Sequence, residues 1–246
     1  MDFTDGYEFG CFDIDGRLVP RVFLGTSPFL GAGQFSSAIG YFNQFYRNPP
    51  RIREIFAHCI KRGINAVNLV ADPVLADALE MAAAESEIPV YLLGVVGLTD
   101  LGDELKLMER LGAECVVVHA SITDRSHEAV KAALRKVSER GFVGGIATHN
   151  PATTIPRAHL VGAEIVLAPV NRLGRFMGPD PAASLEAVEM CNIPVIAIKP
   201  LAAGALEPDV AFEFLAERVE GIAVGIVSRE EAEETFGAAR RIARWM

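Results

Sequence analysis

Polar side chains able to do carbonyl chemistry follow several short apolar runs of this chain. His119 comes directly after residues 115–118, and Lys199 comes directly after residues 195–198. An imidazole can orient or protonate a carbonyl oxygen, and a lysine that leaves an apolar run can have a lowered pKa and attack a carbonyl carbon. Three other runs are also followed by a polar residue: Asn68, His149 and Asn171. If the runs are parallel strands, their carboxyl ends share one edge, where we predict a pocket in which His119 and Lys199 are catalytic and the other three bind the ligand.

Lys199 and the two histidines each allow more than one interpretation. The lysine is either a Schiff-base nucleophile or a fixed charge that pairs with an acid or an anionic ligand. His119 and His149 would lie on one rim, as a pair of metal ligands does. Zinc would require a third protein ligand, and Asn68 and Asn171 are poor substitutes for a carboxylate or a thiolate. We therefore predict no metal site.

The composition favours a soluble protein with one large buried core. Of the 246 residues, 50% are hydrophobic and 22% are charged, which suits parallel strands buried on both faces. No stretch approaches 18 consecutive apolar residues, and the first residues lack the basic and apolar regions of a secretory signal. We expect a cytoplasmic protein with no membrane partner.

The net charge and the cysteines exclude two further classes. A net charge of -9 opposes nucleic-acid binding, because no basic stripe replaces the phosphate counterions. A small-molecule ligand is the partner we expect, and an anionic one is compatible with a few local N–H groups. The four cysteines are widely spaced without a Cys-x-x-Cys pair, which indicates reduced thiols rather than disulfides.

Turn and cap signals divide the chain into repeating units. Glycines suited to end a helix precede four apolar runs: Gly63, Gly112, Gly141 and Gly162. A capping side chain precedes a proline, as at many helix starts, in Asp72-Pro73, Asn150-Pro151 and Asp180-Pro181. These signals mark the ends and the beginnings of helices between strands.

Counting the units gives eight strands and eight helices. The strands are predicted near residues 22–26, 64–69, 89–94, 114–119, 143–148, 164–169, 194–199 and 221–226. The helices are predicted near residues 51–62, 73–85, 100–111, 125–140, 151–160, 181–191, 208–218 and 229–243. This alternation predicts an α/β fold in which residues 1–246 form a single (β/α)8 TIM barrel. An open doubly wound sheet is the alternative, disfavoured because no strand is followed by a Gly-x-Gly-x-x-Gly turn.

Two segments lie outside the eight units. Residues 9–19 carry Asp15-Gly16 between strand-like runs, which predicts a β-hairpin plugging the bottom of the barrel. Residues 27–50 are rich in aromatic side chains and too long for an ordinary connection. They form either a lid or pocket wall, with Phe29 and Tyr41 contacting the ligand, or a short helix at residues 36–47 packed on the rim or on another subunit of a homo-oligomer.

Six short motifs occur in barrel order. They are residues 15–26 (DGRLVPRVFLGT), 63–65 (GIN), 145–151 (GIATHNP), 170–174 (VNRLG), 196–201 (IAIKPL) and 224–228 (VGIVS). Together they resemble the hairpin and strand motifs of the aldo/keto reductase superfamily over nearly the whole chain. The resemblance implies an NADP-dependent oxidoreductase barrel. In that family a Tyr, supported by a Lys and an Asp, protonates a carbonyl that receives hydride, with a His beside it.

The chain departs from that pattern at the catalytic positions. Only the histidine has a counterpart, at His119. The family's Asp, Tyr and Lys correspond to Asn68, Pro73 and Gly94, none of which can donate a tuned proton. Positions that contact the nicotinamide in the family carry apolar residues here: Ala147, Leu167 and Ile198. The resemblance therefore implies a divergent member that lacks most of the catalytic tetrad.

The last strand and helix carry the predicted cofactor contacts. Gly225, Ser228 and Arg229 lead into the final helix, whose N–H groups could hold a phosphate of NADP. Ser228 and Glu231 also have the spacing of a capping box, which gives the simpler interpretation of a well-capped helix.

Three functions follow from these residues. The first is an altered or residual NADP-linked carbonyl oxidoreductase in which His119 orients the carbonyl. The second is a lyase or aldolase-type enzyme that uses Lys199. The third is a noncatalytic binding barrel that keeps the family fold without its chemistry.

Overall fold

The computed structural model describes residues 7–246, and the chain begins there with a β-hairpin. Strands β1 (Cys11–Ile14) and β2 (Arg17–Pro20) pair antiparallel, with Ile14 opposite Arg17. Asp15 and Gly16 connect them with φ of 50° and 83°. Two consecutive positive φ angles are typical of a type I′ turn, whose twist matches that of the flanking strands. The hairpin predicted at residues 9–19 is confirmed.

Eight parallel strands follow and close into a barrel. They are β3 (Val22–Gly25), β4 (Ala66–Val70), β5 (Tyr91–Val96), β6 (Cys115–Val118), β7 (Val143–Ala147), β8 (Ile165–Pro169), β9 (Val195–Ile198) and β10 (Gly221–Gly225). Each strand pairs with its neighbour in the chain, and β10 closes the ring on β3. The predicted (β/α)8 architecture is confirmed, and each strand lies within two residues of its predicted bounds.

Helices alternate with the strands and surround the barrel. They are α1 (Ala38–Tyr41), α2 (Pro49–Lys61), α3 (Pro73–Ser86), α4 (Leu101–Arg110), α5 (Ala120–Thr123), α6 (His127–Ser138), α7 (Pro151–Thr154), α8 (Pro181–Glu189), α9 (Pro208–Ala216) and α10 (Arg229–Ala239). Shorter 3-10 segments cover Ser27–Leu30, Ile155–Val161 and Ala243–Trp245. Among these helices, none is long and apolar enough to cross a lipid bilayer.

The predicted helix caps formed in part. Asp72 accepts hydrogen bonds from Val74 N and Leu75 N, but Asn150 makes no cap hydrogen bond. The helix predicted at residues 151–160 is the single turn α7 followed by the 3-10 helix Ile155–Val161. Pro156 stands inside that stretch and lacks the N–H that a continuing α-helix would use, so the tighter helix takes over.

The bottom of the barrel is filled by the hairpin. Phe12, Ile14 and Val19 belong to the same buried cluster as Phe23 and Tyr91, which point into the barrel from β3 and β5. The side chains of this cluster alternate along the strands, as parallel strands in a barrel require. The hairpin therefore closes the amino end of the barrel with apolar side chains.

The aromatic segment at residues 27–50 forms a compact layer beside the other end. It contains α1 and a π-helical stretch at Phe42–Tyr46 in place of the single helix predicted at residues 36–47. Phe29 is fully buried and contacts the rings of Phe45 and Phe56, at centroid distances of 5.1 and 5.6 Å. This buried triad fixes the segment to α2.

Candidate functional site

A cavity of about 380 Å³ opens at the carboxyl end of the barrel. Its walls come from the ends of most strands, from the aromatic segment and from the turn after β9. Polar side chains on these walls are Ser27, Gln34, Tyr41, Asn68, His119, His149, Lys199 and Glu231. The sequence-predicted residues Asn68, Tyr41, His119, His149, Lys199 and Gly225 are thus brought together around one cavity.

Strand alternation explains why two of these residues face the cavity. His119 continues the inward-facing positions of Cys115 and Val117, and Asn68 continues that of Ala66. Successive side chains of a strand point to opposite faces, so every second residue faces the barrel interior. This periodicity is visible in the sequence once the strands are identified.

Lys199 reaches the cavity by a different route. The inward-facing residues of β9 are Ile196 and Ile198, so alternation alone would turn Lys199 outward. Its φ is 55°, in the left-handed region that a residue with a Cβ adopts at a cost of about 1–2 kcal/mol. The backbone turns at this residue and the side chain lines the cavity.

His119 is held in one tautomer. Its Nδ1 accepts a hydrogen bond from Ser121 N at 3.1 Å, and a backbone N–H can only donate. The Ser121 hydroxyl donates its hydrogen to Gly97 O at 3.1 Å, and its oxygen lies 3.0 Å from the same nitrogen. Burial lowers the pKa of His119, with Lys199 as the lowering charge. The neutral ring therefore carries its proton on Nε2, which is the donor available to a ligand.

His149 is a second neutral imidazole on the same wall. Its ring meets that of His119 edge to face, with centroids 5.7 Å apart. Partial burial lowers the pKa of His149 to about 4, and the neighbouring Lys199 charge adds to the shift. No group of three His, Cys, Asp or Glu residues between 7 and 246 is placed to hold a metal ion.

Lys199 has no carboxylate partner in the described part of the chain. The salt bridges and side-chain hydrogen bonds found there do not include it. Its Nζ lies 5.3 Å from the ring centroid of Phe176. Burial lowers the pKa of Lys199, while the charge of Asp124 raises it. The lysine thus lies half-buried in a cavity where both neighbouring imidazoles are neutral.

Asp124, which sequence analysis did not single out, organises this wall. It accepts hydrogen bonds from Thr148 Oγ1 at 2.5 Å, His149 N at 2.8 Å and Thr154 Oγ1 at 3.0 Å. Its negative charge raises the pKa of Lys199, His119 and His149. Its partners are 24 to 30 residues along the chain, so no local motif marks it.

Glu231 supplies the acidic end of the cavity. One carboxylate oxygen accepts from Val227 N at 2.8 Å, and Ser228 Oγ accepts from Glu231 N at 3.1 Å. Burial raises the pKa of Glu231, and burial together with the Glu231 charge raises the pKa of Tyr41. Two N–H groups at the start of α10 are thereby satisfied within the chain. A phosphate bound there would lie beside this carboxylate, whose negative charge opposes the predicted phosphate contact.

Several sequence-predicted residues lie away from the cavity walls. Asn171 is buried and exchanges hydrogen bonds with the backbone of Arg175, at 2.8 and 3.0 Å. Phe29 belongs to the core, Ser228 caps α10, and Arg229 is exposed. Asn171 shapes the loop after β8, and Phe29 anchors the aromatic segment.

The position compared with the family's lysine faces outward. A Cβ at Gly94 would overlap Sδ of Met108 on α4, and the residue that β5 presents to the cavity is Val95. Neither residue supplies a charge. The ammonium group at this cavity comes from β9 instead, as Lys199.

No protein-family model matches this sequence, and no curated protein matches it. Solved structures do match. One from Pseudomonas aeruginosa, described as an aldo-keto reductase, has a TM-score of 0.69 at 16% identity, over 98% of this chain and 99% of that chain. A thermostable aldo-keto reductase in complex with the inhibitor epalrestat has a TM-score of 0.69 at 14% identity, over 94% and 93%.

A third structure is described as a 2,5-diketo-D-gluconic acid reductase B. It has a TM-score of 0.68 at 15% identity, over 94% of this chain and 85% of that chain. At these identities the likeness concerns the fold and leaves chemistry to the site itself. The chain has a (β/α)8 barrel fold similar to that of these aldo-keto reductase structures.

Proposed function

We propose that this protein binds a small carbonyl compound at the mouth of the barrel, with His119 donating its Nε2–H to the carbonyl oxygen. The observation that carries the proposal is the hydrogen bond from Ser121 N to Nδ1 of His119. It leaves one donor on a ring that lines the cavity. A donor of fixed orientation stabilises the negative charge that develops on the oxygen when a carbonyl carbon is attacked.

The rest of the cavity supports a small, partly apolar ligand. Leu167, Ile198 and Val224 supply apolar wall, and Tyr41 and Phe35 of the aromatic segment close one side. The two edge-to-face rings of Phe35 and Tyr41, 5.6 Å between centroids, stiffen that side. Small-molecule sites are typically apolar cavities on which a small number of polar groups converge.

The fold likeness supports an NADP-linked oxidoreductase as the reaction class. Gly225 lines the cavity as predicted for a cofactor contact, but Glu231 opposes a phosphate at the start of α10. The residues at this helix terminus therefore do not provide a site for the nucleotide phosphates. NADP stays a prediction, and it is tested separately from carbonyl binding.

Thermal denaturation in the presence of ligands tests the proposal. Small aldehydes, ketones and 2-oxo acids are added singly to the wild type, to His119→Gln and to His159→Gln, an exposed histidine far from the cavity. A ligand at 100 times its Kd stabilises the fold by about 2.7 kcal/mol. We expect stabilisation of the wild type and His159→Gln, and a weaker effect in His119→Gln. Equal stabilisation of all three would contradict the role of His119.

NADPH and NADH form the second arm of the same experiment. Stabilisation by millimolar NADPH, with consumption of NADPH when the stabilising carbonyl is added, would support the oxidoreductase. If neither nucleotide shifts the melting temperature, the proposal of an NADP-linked reaction is wrong. The proposal of carbonyl binding is unaffected by that result.

A further inference from the structure

Lys199 has no ion-pair partner among residues 7–246. The carboxylates that line or adjoin its cavity are engaged elsewhere: Asp124 accepts three hydrogen bonds from β7 and α7, and Glu231 accepts from Val227 N near α10. A structural ammonium group in a half-buried site would need such a partner, because burial of an unpaired charge is costly. The residue is nevertheless held there by a left-handed backbone with a φ of 55°.

Burial favours the neutral form of this amine, and the two nearby imidazoles carry no charge. His149 and His119 face it from the ends of β7 and β6, and both rings are neutral at pH 7 because burial lowers their pKa values. Asp124 and the Phe176 ring act in the opposite direction and favour the ammonium form. Burial is the larger influence on Lys199 and lowers its pKa.

We infer that Lys199 forms an imine with a small aldehyde or ketone bound in this cavity, an inference that rests on the proposed carbonyl binding. The carbonyl oxygen accepts from His119 Nε2–H, and the carbon lies toward the apolar floor from which Lys199 emerges. The cavity thereby offers a donor for the oxygen and an amine for the carbon. That pair is what an amine needs to add to a carbonyl.

The chemistry balances without an oxidant or reductant. The lone pair of the neutral Nζ forms the C–N bond while the carbonyl π electrons move to oxygen. A proton passes from nitrogen to that oxygen and gives a carbinolamine. Protonation of its hydroxyl and loss of water then form the C=N bond, with the positive charge on nitrogen. The neutral imidazole of His149 is the group available to exchange these protons.

Reductive trapping tests the inference. The wild type, Lys199→Arg and Lys131→Arg are incubated with acetone, propanal or pyruvate and then reduced with sodium borohydride. Tryptic peptides are analysed by mass spectrometry. Lys131 is an exposed lysine on α6 and provides the matched control. Pyruvate against acetone shows whether the cavity prefers an anionic carbonyl compound.

We expect an adduct on Lys199, at least tenfold above that on Lys131, in the wild type and in Lys131→Arg. Lys199→Arg keeps a long basic side chain at this position and should lose the adduct, because a guanidinium does not form an imine, while a carbonyl ligand still stabilises the variant thermally. Trapping that is equal on Lys131 and Lys199 overturns the inference. So does an untrapped Lys199 in the presence of a carbonyl that stabilises the wild type, an outcome that leaves carbonyl binding intact. If no carbonyl stabilises or is trapped, both proposals are removed.

Discussion

The two ends of the barrel differ in whether side chains fill the space inside. At the amino end, the hairpin residues Phe12, Ile14 and Val19 bury themselves against Phe23 and Tyr91, and the space is filled by apolar side chains. At the carboxyl end, a cavity of about 380 Å³ is left open and is lined by two imidazoles, an amine and a carboxylate. One end supplies stability, and the other holds groups that no stable core would tolerate.

Backbone strain follows the same division. Between residues 7 and 246, six non-glycine residues have positive φ, and Lys199, Ala202, Ala203 and Phe176 are four of them. The first three belong to the turn after β9, and the Phe176 ring lies beside Lys199. At the amino end, the hairpin turn holds one such residue, Asp15 with a φ of 50°, beside Gly16 with a φ of 83°. Strained residues persist where the surroundings hold them, and they concentrate at functional sites.

The largest loss of stability is expected from removing a buried ring at the amino end of the barrel. Phe23→Ala removes a fully buried ring and should lower the free energy of unfolding by roughly 3–5 kcal/mol, measured by urea denaturation. Carbonyl stabilisation of the surviving folded protein should be unchanged. A parallel loss of ligand binding would show that the two ends are coupled rather than separate.

Asp124→Ala should have the next largest effect and should act at the open end. It removes the acceptor of three hydrogen bonds and should destabilise the fold by about 1–3 kcal/mol. The matched control is Asp77→Ala, an exposed acid paired with Arg110, for which about 0–1 kcal/mol is expected. If urea denaturation gives the same loss of unfolding free energy for both variants, Asp124 does not organise this wall.

The two ends should also respond oppositely to acid. Partial burial raises the pKa of Glu114, which precedes β6, to about 7, so its contribution to stability grows as the pH falls from 7 to its ordinary value near 4.5. The pKa of His149 is lowered to about 4, so its contribution is lost as the pH falls from 6.5 toward 4.

Melting temperatures between pH 4.5 and 7.5 check this contrast. Glu114→Gln should lose stability more steeply on acidification than the wild type, and His149→Gln should lose it less steeply. Identical slopes in the three proteins would show that neither group titrates differently on unfolding.

The smallest effect is expected from Phe176→Leu. The ring contacts the Lys199 ammonium and, as a cation–π partner, favours its charged form. Its loss should lower the pKa of Lys199 further, so borohydride trapping should reach half its maximum at a lower pH. Leu173→Ala changes a neighbouring exposed residue on the same loop and should leave the trapping profile unchanged. A profile that moves upward in Phe176→Leu would exclude the assigned contact.

The sequence by itself determined the barrel, the hairpin and five of the eight polar side chains on the cavity walls. Buried parallel strands read as continuous apolar runs, and helix caps and glycines separate them, so the units are recognisable without tertiary information. Alternation along β4 and β6 then places Asn68 and His119 inside. The aromatic segment was predicted to be structured, but its π-helical part depends on the buried contacts of Phe45 and Phe29.

Tertiary structure alone decided the chemistry at the mouth. Lys199 faces the cavity because its backbone is left-handed, against the alternation of β9. Asp124 matters through partners 24 to 30 residues away, and Asn171 is occupied by the backbone of Arg175. Local sequence specifies periodicity and caps. The neighbours that set a pKa, a tautomer or a hydrogen bond come together only when the eight strands close.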